Sequence, residues 1–368
     1  MEKIQENINL NNLDKSQWES HRFEHIAKSI SERVEPTQTD LDIYVGLEHL
    51  DPDDIHIRRF GKREDVSGTK LRCYPGDMIF GRRRAYQRKA AMVTFDGFCS
   101  AHSLVLRANP DIIDPELFPF FLHSDQFMHR AVDISVGSLS PTINWGTLKN
   151  EEFLLPPNDQ QARLARLLWA LDEVMERERE VLDGLENLYI CLFKKFKLSG
   201  KSWERIKIKD IMQFHYGKPL KESDRFNGKY PVVSSSGIQG FHNEYFTEGP
   251  GIVVGRKGNA GEVIWVNDDF WTIDTAYFVT INEEFSHLPM KFFYYLLISA
   301  NLKALSIATA VPGLNRNDAL LTNVYLPGER EVLEYLQKFE QISKRKTDLK
   351  GKINKSKDLK KSIINQIF

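Results

Sequence analysis

SLSPTINWGTLKNEEFLLPP, from Ser138 to Pro157, returns reworded as TAVPGLNRNDALLTNVYLPG, from Thr309 to Gly328. Pro141 falls on Pro312, Asn144 on Asn315, Leu155 on Leu326 and Pro156 on Pro327, without a gap. A self-similarity of this kind decides an architecture before any element is assigned. Working outward, GDMIFGRR (Gly76–Arg83) falls on PGIVVGRK (Pro250–Lys257), which sets Gly81 on Gly255 and Arg82 on Arg256. Between these anchors each copy carries an aromatic-rich helical stretch, PELFPFFLHSDQFMHRAV (Pro115–Val132) and LPMKFFYYLLISANLKAL (Leu288–Leu305). Trp18 and Trp203 each precede a short amphipathic run near the start of a copy.

Each copy ends at a proline followed by about 40 residues of helical periodicity, about 60 Å of helix. In the first, Asn158 and Gln161 read as a capping box. Leu164, Leu167, Leu171, Val174, Val181, Leu185, Leu188 and Leu192 then follow at steps of three and four, with charges expected on the other faces. Gly184 is an interior flaw of about 1 kcal/mol relative to alanine. In the second, Leu336, Phe339, Ile342, Leu349, Ile353, Ile363, Ile364 and Ile367 form a less regular stripe. Neither stripe can bury itself alone, so the two helices are expected to pack on each other as an antiparallel coiled coil. A local two-fold relation would then set two globular units at opposite ends of a rod. Strand candidates are short and separated by glycine and asparagine turns: DIYVGL, DMIFG, AAMVTF and SLVLRA in one copy, YPVVSSS, GIVVG, EVIWV and AYFVTI in the other. No regular alternation of strand and helix appears, so the class is α+β with an internal repeat rather than a doubly wound sheet. The expected domains are 1–155 and 199–328, with spacer helices at 156–198 and 329–368.

GRKGNAGEVIWV (Gly255–Val266) invites a phosphate-cradle reading, with glycine at every third place. A P-loop needs Gly-Lys-Ser/Thr at its end, whereas Glu262 and Val263 follow Gly261. A dinucleotide loop needs a helix next, and EVIWV reads as a strand. The stretch is therefore a β-hairpin whose glycines supply positive φ. That hairpin either closes a sheet only or also presents Arg256, Lys257 and Asn259 to DNA. The matching place in the first copy is GRRRAYQRK, which supports the second reading. Arg82, Arg83, Arg84, Tyr86, Gln87 and Arg88 are the contact candidates there, against the plainer reading of a solvated charge run. Ser235, Ser236 and Gln239 sit in a polar loop suited to base edges or to an ordinary turn. Asn144 and Asn315 are expected to cap turns.

The 368 residues carry 41% hydrophobic and 27% charged side chains, the profile of a globular protein with real cores. Net charge is −1, so any basic character is local. No apolar run is long enough to span a membrane, and MEKIQENINLNN has no signal-peptide core, so the cytoplasm is the expected location. Cys73, Cys99 and Cys191 are scattered and are expected to be buried spectators. The Asn/Asp-Pro-Pro-aromatic tetrapeptide of amino-methyltransferases, a Walker A loop, a GxSxG elbow and HExxH are absent from the sequence. The ten histidines are scattered. The weight falls on recognition rather than catalysis. The alternatives are a stand-alone DNA-modifying or DNA-cleaving enzyme with unrecognised motifs, and a coiled-coil adaptor that binds protein.

The duplicated plan resembles the specificity subunit of type I restriction-modification systems. YPVVSSSGIQGFHNEYFTEGPGIVVGRKGNAGEVIWV (Tyr230–Val266) and FWTIDTAYFV (Phe270–Val279) are similar to its target-recognition domains. YVGLEHL (Tyr44–Leu50) with GDMIFGRRRAYQRK resembles a variant of the same domain, and LPPNDQQARLARLLWALDEV (Leu155–Val174) resembles the opening of its spacer helix. The second spacer entry, LPGEREVLEYL, lacks the second proline and the glutamine. The resemblance implies a subunit without catalysis or cofactor of its own. Each domain would read one half of a split, asymmetric site in double-stranded DNA. The helices would dock two modification subunits, which use S-adenosylmethionine, and restriction subunits would add ATP- and magnesium-dependent cleavage.

Overall fold

The computed structural model describes residues 13, 15–199, 203–306 and 312–368. The opening MEKIQENINLNN and Thr309, Ala310 and Val311 of the repeat lie outside the described residues. The chain divides into two compact units, Met1–Glu180 with Lys350–Phe368, and Val181–Leu349.

In the first unit, β1 (Ala27–Ile30), β2 (Met78–Gly81), β3 (Ala90–Met92) and β4 (Ser103–Ala108) form an antiparallel sheet in the order β1-β4-β2-β3. Side chains alternate across a strand. Met78, Phe80, Leu104 and Leu106 therefore join the aromatic core of Phe23, Phe121, Phe127 and Phe153, which the helices Phe118–His123 and Asp125–Asp133 help to build. Ile79 and Val105 point the other way and meet Val45, Cys73 and Cys99. Those three belong to a five-stranded sheet, Arg33–Val34, Lys70–Cys73, Gly97–Cys99, Ile43–Val45 and Gly61–Lys62 in spatial order. A sheet buried on both faces gains about 1.5–3 kcal/mol for each large apolar side chain it hides. The aromatic-rich stretch is not one helix. It breaks at Ser124, whose Oγ accepts from Phe127 N at 3.1 Å and caps the second piece. Cys73 and Cys99 lie on adjacent strands and are buried, and the hydrogen bond between the thiols, with burial, pushes the Cys99 thiol up. Cys191 departs from expectation and is exposed.

The second unit repeats the plan. β5 (Met212–Tyr216), β6 (Gly251–Gly255), β7 (Val263–Val266) and β8 (Ala276–Ile281) pair in the order β5-β8-β6-β7. Ile252 and Val254 face Phe292, Phe293 and Leu296 of the helix Met290–Ala300, while Val253 joins Val233 and Phe270 on the other face. The copies diverge in the second sheet, which has five strands in the first unit and here has three, Gly237–His242, Tyr230–Ser234 and Trp271–Thr272. One pair in each of these second sheets is parallel, Ile43–Val45 with Gly97–Cys99 and Tyr230–Ser234 with Trp271–Thr272.

The two long helices are α1 (Asn158–Ser199) and α2 (Glu329–Ile367). Within the first unit, Leu164, Ala165 and Leu168 pack on Ile363, Ile364 and Ile367, and Asp172 meets Lys360 at 2.8 Å. Within the second, Phe193 lies tilted against Phe339 with ring centroids 4.5 Å apart, and Phe196 meets Tyr335 at 5.1 Å. In both units the helix segments run antiparallel. The seam of α1 differs from the expected stripe, however. Val174, Val181 and Leu188 are exposed, whereas Gln161, Asp172 and Glu178 are buried. Charges therefore lie inside the seam rather than only outside it. They do so because α2 supplies cations opposite them: Lys360 on Asp172, Lys352 on Glu178 at 2.7 Å, and Lys346 on Glu186 at 3.5 Å.

The capping box expected from Asn158 and Gln161 does not form. Gln161 Nε2 donates to Pro156 O at 2.8 Å and Ile112 O at 2.9 Å, and Oε1 accepts from Asp114 N at 2.7 Å. A buried amide that meets several backbone groups at once outcompetes a reciprocal cap at an exposed helix end. The loop between the strands Ile43–Val45 and Gly61–Lys62 is stapled to α1 as well. Arg58 bonds Asp54 at 2.6 Å and Glu176 at 2.7 Å, and Arg179 reaches Asp54 at 3.0 Å. Among the described residues no helix is long and apolar enough to cross a membrane.

Candidate nucleic-acid interface

GRKGNAGEVIWV forms the hairpin β6–β7, with residues 256–262 as its loop. Gly258 at φ 75° and Gly261 at φ 79° take the left-handed region. Gly255 is needed for another reason: a Cβ there would collide with the Asn259 carbonyl oxygen. No helix follows the loop, so the phosphate cradle is absent. Arg256 N and Lys257 N donate to Thr275 O at 2.8 and 3.1 Å, which fixes the loop to the turn before β8. Gly258 N donates to Pro312 O at 2.9 Å and Leu314 N to Arg256 O at 2.8 Å. The hairpin loop and the Pro312–Asn315 loop thus make one platform.

The first unit builds the same platform with the same bonds. Arg84 N donates to Pro141 O at 2.7 Å, and Ile143 N to Arg82 O at 2.9 Å. Arg84 occupies the place of Gly258 and takes φ 54°. Thus the backbone is repeated, and the arginine at Arg82 and Arg256 with it, while Arg84 stands where the second unit has Gly258.

The predicted residues sort into tips and struts. Arg83, Arg84 and Tyr86 are exposed, and Gln87 is half-buried beside them. Arg82 is half-buried, with Nε lacking a partner among the described residues. Partial burial, then the cations Arg83 and Arg82, hold the His102 imidazole below its ordinary range. Arg88 is a strut. Its Nε meets Asp53 at 2.6 Å, Nη1 meets Asp125 at 2.9 Å, and Nη2 donates to His123 O at 2.8 Å. In the second unit Lys257, Asn259, Ser236 and Gln239 are exposed. Ser235 is buried, its N–H directed at Thr275 Oγ1 at 3.5 Å, and it serves the turn. Arg256 is half-buried and donates from Nη1 to Asp274 O at 3.1 Å.

Two residues outside the sequence candidates join the second platform. The Tyr216 ring, at the end of β5, carries the guanidinium groups of Arg256 at 4.9 Å and Arg316 at 5.0 Å. The signal for Arg316 was the repeated asparagine directly before it. Asn315 caps the turn Arg316–Leu320, accepting from Asn317 N at 2.8 Å and Asp318 N at 3.4 Å. Asn144 holds the equivalent position but makes no side-chain cap bond.

Each copy thus combines an α+β unit, a pair of antiparallel helix segments and a two-loop platform with cations at its tip. The family described as the type I restriction modification DNA specificity domain matches residues 200–356. The chain is 26% identical over 191 residues to the type I restriction enzyme EcoDI specificity subunit of Escherichia coli, covering 48% of this chain and 41% of that protein. It is 28% identical over 122 residues to the MjaIX specificity subunit of Methanocaldococcus jannaschii, covering 27% of this chain and 28% of the relative. The matches therefore span less than half the length of either relative. In fold, the S subunit of the type I restriction-modification system of M. genitalium superposes with a TM-score of 0.64 at 16% identity, over 97% of this chain and 98% of that one. A chain from a type I R-M system solved to explain complex assembly and conformational transition gives 0.57 at 17% identity, over 96% and 97%. Residues 200–356 thus match the specificity-domain family, and the fold of the chain is that of the S subunits of type I restriction-modification systems.

Proposed function

We propose that this chain is the non-catalytic DNA-recognition subunit of a type I restriction-modification complex in the cytoplasm. Each unit reads one half of a bipartite, asymmetric target in double-stranded DNA, and the paired helices govern the unread spacer between the halves. Two methyltransferase subunits and the restriction subunits dock on the chain, and S-adenosylmethionine, ATP and magnesium serve those partners. One observation carries this reading: the two platforms share their backbone bonds, Ile143 N to Arg82 O and Leu314 N to Arg256 O, but not their tips. Two readers of different half-sites need that combination, because backbone geometry positions and side chains specify. The test is exchange of residues 203–328 for the counterpart from another specificity subunit, followed by sequencing of methylated sites in the host. One half-site should change and the other persist. Alteration of both halves, or of neither, overturns the proposal.

A further inference from the structure

We infer that Arg316, stacked on Tyr216, is a base-reading side chain of the second unit and selects guanine. The inference rests on the DNA-reading function proposed above and goes beyond it by naming the residue and the base.

Tyr216 is 49% exposed, and its ring lies 5.3 Å from that of Tyr277, whose hydroxyl donates to Leu314 O at 3.1 Å. The floor beneath the stack is therefore fixed. Of the two guanidinium groups on the ring, that of Arg256 is engaged with Asp274 O. Among the described residues Arg316 has no carboxylate within ion-pair distance, and its Nε is buried without an acceptor. The Nε is closed to solvent, so a ligand meets the guanidinium at its terminal nitrogens, for which the described residues supply no acceptor. An arginine whose plane is held by an aromatic face loses less freedom on binding, and its donors form a rigid fork. That fork matches the paired acceptors O6 and N7 of guanine in the major groove, whereas adenine offers one acceptor beside a donor.

The comparison between copies separates a base from a phosphate. The DNA backbone is the same in both half-sites, so a phosphate grip would be expected in both platforms. In the first unit Trp145 stands after the repeated asparagine and packs edge-on against Phe23 at 5.8 Å. β1 ends at Ile30 with no aromatic residue there. The stacked arginine therefore belongs to one half-site only, as a sequence-reading element does. Exposed Lys257 and Asn259 on the adjoining loop are suited to the flanking phosphates and base edges.

The experiment is sequencing of methylated sites in cells carrying the full chain with its methyltransferase subunit. The native chain should give a bipartite motif containing guanine in the second half. Arg316→Ala and Arg316→Lys should each make one G·C position degenerate, with roughly a tenfold or greater loss of discrimination there. The first half-site should stay fully defined, which also reports that the chain has folded. Tyr216→Ala should reproduce the effect, and Tyr216→Phe, which keeps the ring, should not. A motif that stays fully defined in the Arg316 variants, whether methylation is unchanged or uniformly weaker, assigns Arg316 to the backbone or to no contact and overturns the inference. Loss of methylation at every site by both Arg316 variants assigns it to the fold and overturns it equally. A native chain that yields no bipartite motif removes the DNA-reading function itself, and the inference with it.

Discussion

Arg84 holds φ 54° where the second unit uses Gly258 at φ 75°. A residue with a side chain in that region carries strain of about 1 kcal/mol, so its retention suits a charge needed at the tip. Arg84→Gly should leave the urea midpoint unchanged or raise it slightly, while weakening DNA binding by the assembled complex in anisotropy titrations. Arg88→Met should do the reverse. It unpairs Asp53 and Asp125 and lowers stability by about 2 kcal/mol, with binding reduced only as far as the platform loosens. A lowered midpoint in Arg84→Gly would contradict the assignment of tip and strut. Within GRRRAYQRK the two residues look alike. What separates them is Asp53 and Asp125, remote in sequence, and no local pattern reveals such partners. Gly255, Gly258 and Gly261 were more legible, because a glycine's backbone freedom is itself a local property.

At the scale of the element, the long helices are evident from periodicity, and the α1 stripe marks the seam at Leu164, Leu167, Leu171 and Leu192 but not along its whole length. Val174, Val181 and Leu188 continue the same apolar spacing but are exposed. The buried face carries Asp172 and Glu178, which a hydrophobic pattern cannot score. Burial works against the Asp172 carboxylate. The hydrogen bonds from His56 and Lys360 nevertheless hold it below the ordinary carboxylate range. Removing one partner of a buried pair leaves the other uncompensated, at about 3–5 kcal/mol, whereas replacing both is often neutral. Asp172→Leu should therefore shift the denaturation midpoint sharply downward, and Asp172→Leu with Lys360→Leu should recover most of the loss. Equal midpoints for the single and double variants would show that Lys360 is not the partner that matters. The α2 stripe is legible at Phe339, Ile342, Ile363, Ile364 and Ile367, all buried, since its seam keeps more apolar residues.

For the whole molecule, a net charge of −1 conceals how the cations are distributed. Phosphate contacts release counterions, so log K falls linearly with log salt in proportion to the contacts made. Arg83→Ala with Arg84→Ala should reduce that slope by about two for the assembled complex on its target. A slope that does not change would place both arginines off the DNA. The two-copy plan and the α+β class were readable because repeated glycines, prolines and asparagines mark turns in each copy. The five-stranded and three-stranded sheets were not, since strands as short as Arg33–Val34 and Trp271–Thr272 leave no periodicity to detect. The first unit, finally, is assembled from two stretches of chain with all of Val181–Leu349 between them. A ribosome delivers Leu164 and Leu168 long before Ile363, Ile364 and Ile367 arrive to cover them. The unit that begins first is thus finished second, and through the intervening synthesis its apolar helix face waits for its cover.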